Sequence, residues 1–219
     1  SDVIPVPLPP MPDDAMNTST LNERNGRQML NVAWNHRWEY DKGPDRLLKV
    51  IELAEHFDLA CRFFIFGQRF RQVPDGFSNL AERYPDRVGH VGFVADDHSY
   101  YRRLANCDVV LSTALQDFQG LAILEAIGLG CVPLVPDRLA YPEYVAQDFR
   151  YSSYLTDVEA ECECVVARLK KYQRLLAARQ LVPAGIPDRF NEKQIISSYI
   201  ETINRLLAHG KMTTMNDNI

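Results

Sequence analysis

The sequence predicts an α/β fold, a Rossmann-like parallel sheet with helices on both faces. From Met29 onward, short apolar runs of strand length alternate with amphipathic stretches of helix length, and that rhythm belongs to a parallel sheet built from crossover units. The chain also has 219 residues, 46% of them hydrophobic, which is enough to bury one substantial core within the usual size of a single domain.

Leu30 to Trp34 reads as a buried strand and Pro44 to Phe57 as a helix whose proline sits in the first turn, where its missing N–H leaves no hydrogen bond unmade. Leu47, Val50, Ile51, Ala54 and Phe57 supply the apolar face of that helix. Cys61 to Phe66 is a second strand ending at Gly67. A helix of roughly two turns over Phe77 to Tyr84 precedes a third strand, Val88 to Phe93. Asp96 is placed to cap the next helix, Asp97 to Ala105. Val109 to Ser112 is a fourth strand, Gly120 to Leu129 a helix and Cys131 to Val135 a fifth strand. Past Pro136 come a helical turn at Tyr141 to Val145, a helix over Val158 to Arg179 and a last helix from Asn191 to His209. The expected organisation is an extended, proline-rich linker over 1–28, one globular domain over 29–209 and a disordered tail over 210–219.

A formal net charge of -5 gives no electrostatic footprint for nucleic acid or an anionic membrane, so any such contact has to be local. No run approaches the ~20 apolar residues of a membrane span, and a soluble protein without a membrane partner is expected. Five cysteines is an odd count, and Cys61, Cys107 and Cys131 adjoin apolar runs, where free thiols behave as small hydrophobes. That usage points to a reducing, cytoplasmic compartment. Cys162 and Cys164 lie two apart on a helix and point to opposite sides, so they form no metal-chelating pair. No metal site is expected.

In such a sheet, ligands bind where loops leave the carboxyl ends of the strands. The loop after the first strand, Asn35 to Pro44, carries Arg37 and Lys42 just before a helix. Two cations there can converge on a diphosphate, with the helix amides adding partial positive charge. A pair of solvated surface charges is the alternative. The loop after the fourth strand, Ser112 to Gly120, contains Asp117, its glycine opens a helix, and Glu125 follows Asp117 by eight positions in an apolar stretch. An unpaired buried carboxylate is costly, so Glu125 is expected to accept hydrogen bonds. His36 either contacts phosphate or is a packed loop histidine. Tyr100, Tyr101, Arg102 and Arg103 read as the faces of an amphipathic helix rather than a base-stacking platform.

These loops resemble those of the GT-B glycosyltransferases of family 4, in the second, donor-binding domain. Members of that family carry a glycine-arginine and lysine-glycine pair after the first strand and two glutamates separated by seven residues. More narrowly, Trp34 to Glu39, Asp41-Lys42, Leu124-Glu125-Ala126, Gly130-Cys131 and Tyr141-Pro142-Glu143 resemble the tRNA-queuosine α-mannosyltransferase group. The resemblance implies a retaining, metal-independent transfer of mannose from GDP-mannose to queuosine in tRNA, with no cofactor beyond the nucleotide-sugar donor.

It also implies roles. Arg37 and Lys42 would hold the diphosphate and stabilise the departing nucleotide, Glu125 would accept from the ribose hydroxyls, and Asp117 would contact the transferred sugar. His36 and the stretch of Phe118, Gln119, Gly120 and Leu121 would line the phosphate and sugar pocket, while Phe93 and Val94 would pack against the base. Asp117 departs from the family's glutamate and is shorter by one methylene. The acceptor-binding first domain would lie outside this chain, so the chain alone is expected to bind the donor and not to turn over. A transferase for a saccharide or lipid acceptor, or a non-catalytic nucleotide-binding domain, would use the same loops.

Overall fold

A computed structural model describes residues 4–12, 24, 27–67, 76, 77 and 79–216. The chain divides into two compact units, Pro10–Gly185 and Ser1–Pro9 together with Ile186–Ile219. These boundaries do not coincide with the expected 1–28, 29–209 and 210–219.

The larger unit holds the sheet. In chain order its elements are β1 (Leu30–Asn35), α1 (Pro44–His56), β2 (Cys61–Phe66), α2 (Leu80–Arg83), β3 (Val88–Gly92), α3 (Asp97–Ala105), β4 (Val109–Leu111), α4 (Leu121–Gly128), β5 (Val132–Pro136), β6 (Arg150–Tyr151) and α5 (Val158–Ala177). A 3-10 turn at Tyr141–Glu143 stands where a helical turn was expected. Asp96 caps α3 by accepting from the amide of Ser99 at 2.7 Å, and Asp157 caps α5 from Ala160 at 3.0 Å. The smaller unit contains α6 (Glu192–Asn216), which continues past the expected boundary at His209 and through the start of the expected tail.

Three expectations need correction. The two-turn helix over Phe77 to Tyr84 is a single turn, α2, partly because Phe77 precedes the helix and is buried as a core side chain. Phe57 is not part of the buried face of α1. The helix ends at His56, Phe57 is its C-cap, and its ring is 53% exposed. Strand β6 was not anticipated, since two residues show no alternation.

The strand order is β3-β2-β1-β4-β5-β6, with every pair parallel. The chain moves outward from β1 to β3, then returns to lay β4 on the other side of β1, with Val32 opposite Val109 and Ala33 opposite Val110. Loops leaving β1 and β4 therefore diverge around a crevice, the place where such sheets bind ligands.

Both faces of the sheet are covered, which is why its strands are apolar runs rather than alternating ones. Leu47, Val50, Ile51 and Ala54 of α1 are fully buried, and α1 packs against α5, whose Cys162, Val165, Val166 and Leu169 join the same core. Each fully buried aliphatic side chain of this kind contributes about 1.5–3 kcal/mol. The five cysteines are free thiols, four of them buried. Among the described residues no helix is long and apolar enough to cross a membrane.

Candidate functional site

The crevice between β1 and β4 is built by two loops stitched together through their backbones. The carbonyl of Asp41, after β1, accepts from the amides of Leu115 and Gln116, after β4, at 2.7 and 3.1 Å. In the other direction Thr113 Oγ1 donates to the carbonyl of Lys42 at 2.8 Å and accepts from Trp34 Nε1 at 2.9 Å. Between the first loop and α1, Gly43 takes φ +63°, and a Cβ there would collide with the carbonyl oxygen of Thr113. Only glycine combines that conformation with so close an approach.

This stitching fixes Lys42. Its Nζ donates to the carbonyl of Gln116 at 2.7 Å and lies 3.2 Å from Asp41 Oδ2 and 3.8 Å from Asp117 Oδ2, with the side chain 12% exposed. Asp117 is held from two further directions. Oδ1 accepts from the amide of Gly120 at 3.1 Å, and Oδ2 accepts from the hydroxyl of buried Tyr141 at 3.0 Å. Ser112 Oγ, 2.8 Å from that hydroxyl, completes the chain. Gly120, at φ +72°, is the N-cap of α4, and a Cβ there would come 2.5 Å from Tyr144 Oη. One helix N-terminus, one ammonium and two carboxylates, those of Asp41 and Asp117, thus share this corner. The aspartate, rather than a glutamate, suits a side chain that must fold back on its own loop.

Beside the corner lies a cleft of about 360 Å³, whose walls include His36, Arg37, Phe93, Val94 and Glu125. Glu125, on α4, lines the cleft beside Tyr100 of α3. Burial raises its carboxyl above the ordinary range. The Tyr100 hydroxyl opposes that shift, and Asp97 adds to it. The polar neighbour of Glu125 is therefore a tyrosine two elements away. Tyr100 in turn is oriented by Asn35, whose Nδ2 donates to its hydroxyl at 3.2 Å and to the carbonyl of Ala122 at 2.8 Å. Phe93 presents its ring to the cleft with 60% of its surface exposed.

His36 joins cleft and corner. It is 3% exposed, packs edge-on to Trp34 at 5.2 Å between ring centroids, and its Nε2 has no partner among the described residues. Burial pulls its pKa down to about 4, against the pull of Asp117 and together with the repulsion of Lys42, so the imidazole is neutral near pH 7. Arg37 is 58% exposed and pairs with Glu39 at 3.2 Å. It reaches the cleft, whereas Lys42 reaches the corner.

Of the residues expected to form the site, His36, Arg37, Phe93, Val94 and Glu125 line the cleft together. Lys42 and Asp117 meet in the corner, where Gly120 N–H donates to Asp117 and Leu121 begins α4. Phe118 is fully exposed, and Gln119 follows it on the same loop. Asn35, Asp97 and Tyr100 also line the cleft and Tyr141 holds the corner, and the sequence pattern marks none of the four as a site residue. In the sequence Tyr141 stands out only as part of the Tyr141-Pro142-Glu143 motif, and Tyr100 reads as part of an amphipathic face. Its placement one helical turn after Asp97, on the helix following the third strand, was the available signal. Among the described residues no group of three or more His, Cys, Asp or Glu is placed to hold a metal ion.

The family model of the glycosyl transferases of group 1 matches residues 27–175, which takes in the whole sheet and both loops. The chain belongs to the group 1 glycosyl transferases. A relative of this group 1 chain, the tRNA-queuosine alpha-mannosyltransferase of Drosophila melanogaster, is 28% identical over 180 residues. The match covers 82% of the chain but only 46% of the relative's length. The group 1 fold is also evident in solved structures. The pneumococcal O-GlcNAc transferase GtfA in complex with UDP and GlcNAc superposes with a TM-score of 0.64 at 17% identity, over 83% of this chain and 37% of that one. WaaG, a glycosyltransferase involved in lipopolysaccharide biosynthesis, gives 0.58 at 20% identity, over 82% and 50%. The architecture is that of a GT-B Rossmann-like domain.

Proposed function

We propose that this chain is the donor-binding half of a retaining, metal-independent glycosyltransferase of the cytoplasm that moves mannose from GDP-mannose to queuosine in tRNA. The observation that carries the reading is the position of Lys42, held beside Asp117 at the N-terminus of α4, with His36 joining that corner to the cleft of Glu125. A diphosphate at the corner would meet an ammonium and helix amides that need no rearrangement as charge develops on the leaving nucleotide. Exposed Arg37, released from half-buried Glu39, would close on the same oxygens. Neutral His36 can donate one N–H there without adding charge.

The rest of the donor would extend into the cleft. Glu125 would accept from the ribose hydroxyls, and Phe93 and Val94 would cover the base. Asp117, with Phe118 to Leu121, would face the sugar. The match to 46% of the Drosophila relative's length is consistent with a first domain, outside this chain, that supplies the acceptor site.

Calorimetric titration with GDP, GDP-mannose, UDP and UDP-glucose, with and without EDTA, tests the reading. Guanine nucleotides should bind in EDTA, and Arg37→Ala and Glu125→Ala should each weaken binding by about ten-fold, the scale of a lost charged hydrogen bond. A preference for uridine nucleotides would remove GDP-mannose from the proposal. Absence of transfer by the whole protein to queuosine-containing tRNA, with transfer to another acceptor, would remove the tRNA.

A further inference from the structure

Behind the crevice lies a buried ion network that donor chemistry does not require. Glu161, in the first turn and a half of α5, is 1% exposed, and its carboxylate accepts four N–H groups. Oε1 takes Arg46 Nε at 3.0 Å and Arg138 Nη2 at 3.1 Å, while Oε2 takes Arg138 Nη1 at 2.6 Å and the amide of Tyr154 at 2.7 Å. Both arginines then reach onward. Arg138 Nε and Nη2 both donate to the carbonyl of Ala114, at 3.0 and 2.9 Å, in the loop that carries Asp117. Arg46 belongs to the first turn of α1, directly after the loop that carries Lys42, and it anchors to the carbonyl of Leu155 at 2.9 Å.

Replacing a buried ion triad by apolar residues is often neutral or stabilising, so stability alone does not account for this one. Its geometry does. A single carboxylate grips one arm that ends on the Asp117 loop and another rooted at the end of the Lys42 loop, and every acceptor site on it is occupied. Two guanidiniums face one fully buried carboxylate, with only half-exposed Asp45 as a further counter-charge to Arg46 at 3.3 Å.

We infer that Glu161 is a positioning residue for the donor diphosphate, using Arg46 and Arg138 to hold the Lys42 and Asp117 loops at the separation the diphosphate needs. The inference rests on the donor-site reading above.

Two variants of the chain test it. Glu161→Gln keeps the shape and removes the charge, whereas Arg138→Lys keeps the charge and removes the fork on Ala114. Near-ultraviolet circular dichroism establishes folding, after which affinities for GDP and for guanosine are measured by calorimetry and ligand-observed NMR. Each variant should lose about ten-fold in GDP affinity while guanosine binding stays within about two-fold. A purely structural network would shift the melting temperature and leave the ratio of the two affinities unchanged, and that result overturns the inference. Loss of folding in both variants also overturns it, because the network would then serve the fold and not the site. If the unaltered chain binds neither ligand, the donor-site reading fails, and the inference fails with it for that separate reason.

Discussion

The hydroxyl of Tyr141 donates to Oδ2 of Asp117 at 3.0 Å, from a fully buried ring on the 3-10 turn after β5. That contact and the amide of Gly120 hold both carboxylate oxygens, so the orientation of Asp117 is decided by the protein and not left to a ligand. Tyr141→Phe removes a donor from Asp117 and a partner from Ser112 Oγ, leaving a buried hydroxyl without its tyrosine. The expected loss of stability is about 1–3 kcal/mol by urea denaturation. If Asp117 faces the sugar, the variant should also bind GDP-mannose and GDP with more nearly equal affinity. An unchanged midpoint would mean that the hydrogen bond has no role in holding the loop.

Gly43→Ala places a Cβ against the backbone carbonyl of Thr113 at a residue with φ +63°. Both the conformation and the collision are unfavourable, and a cost above ~2 kcal/mol is expected. Gly185→Ala is the control, since nothing lies within 4 Å of a Cβ there, and it should stay within about 0.5 kcal/mol. Thermal melts of the two variants side by side decide the matter; equal melting temperatures would remove the close approach from the account of the crevice.

The buried imidazole of His36 makes stability depend on pH. Its folded pKa of about 4 lies below the unfolded value of 6.5, so the unfolded chain binds more protons between those limits. Stability is then full above pH 6.5 and is lost as the pH falls toward 4. Between pH 7 and pH 5 the loss from this group is about 2 kcal/mol. His36→Phe should flatten the pH profile of the urea midpoint by that amount, and parallel profiles would contradict a neutral, buried histidine.

Burial raises the carboxyl of Glu125, so its ionised form is less favourable in the folded chain than in the unfolded one. Linkage then makes its stability contribution fall as pH rises through the interval between the two values. Glu125→Gln should melt higher than the unaltered chain at pH 7 and bind GDP about ten-fold more weakly. A lower melting temperature would mean that the polar contact with Tyr100 outweighs the cost of burial.

Taken by itself, the sequence determined the order of the elements from β1 to β5, the cap at Asp96 and the glycine that opens α4. These features are local: apolar periodicity, capping and φ preferences act within a turn or a pleat. Tertiary structure alone decided that β4 lies beside β1, which brings Lys42 to Asp117, that β5 lies beside β4, which brings Tyr141 to Asp117 and Arg138 to Ala114, and that Tyr100 stands beside Glu125. Strand order follows from burying both faces of the sheet at once, a condition on the whole chain that no short window contains. Strand β6 escaped detection because two residues carry no period. The partner of Glu125 escaped because a tyrosine on a helix reads as packing until the neighbouring helix is in place.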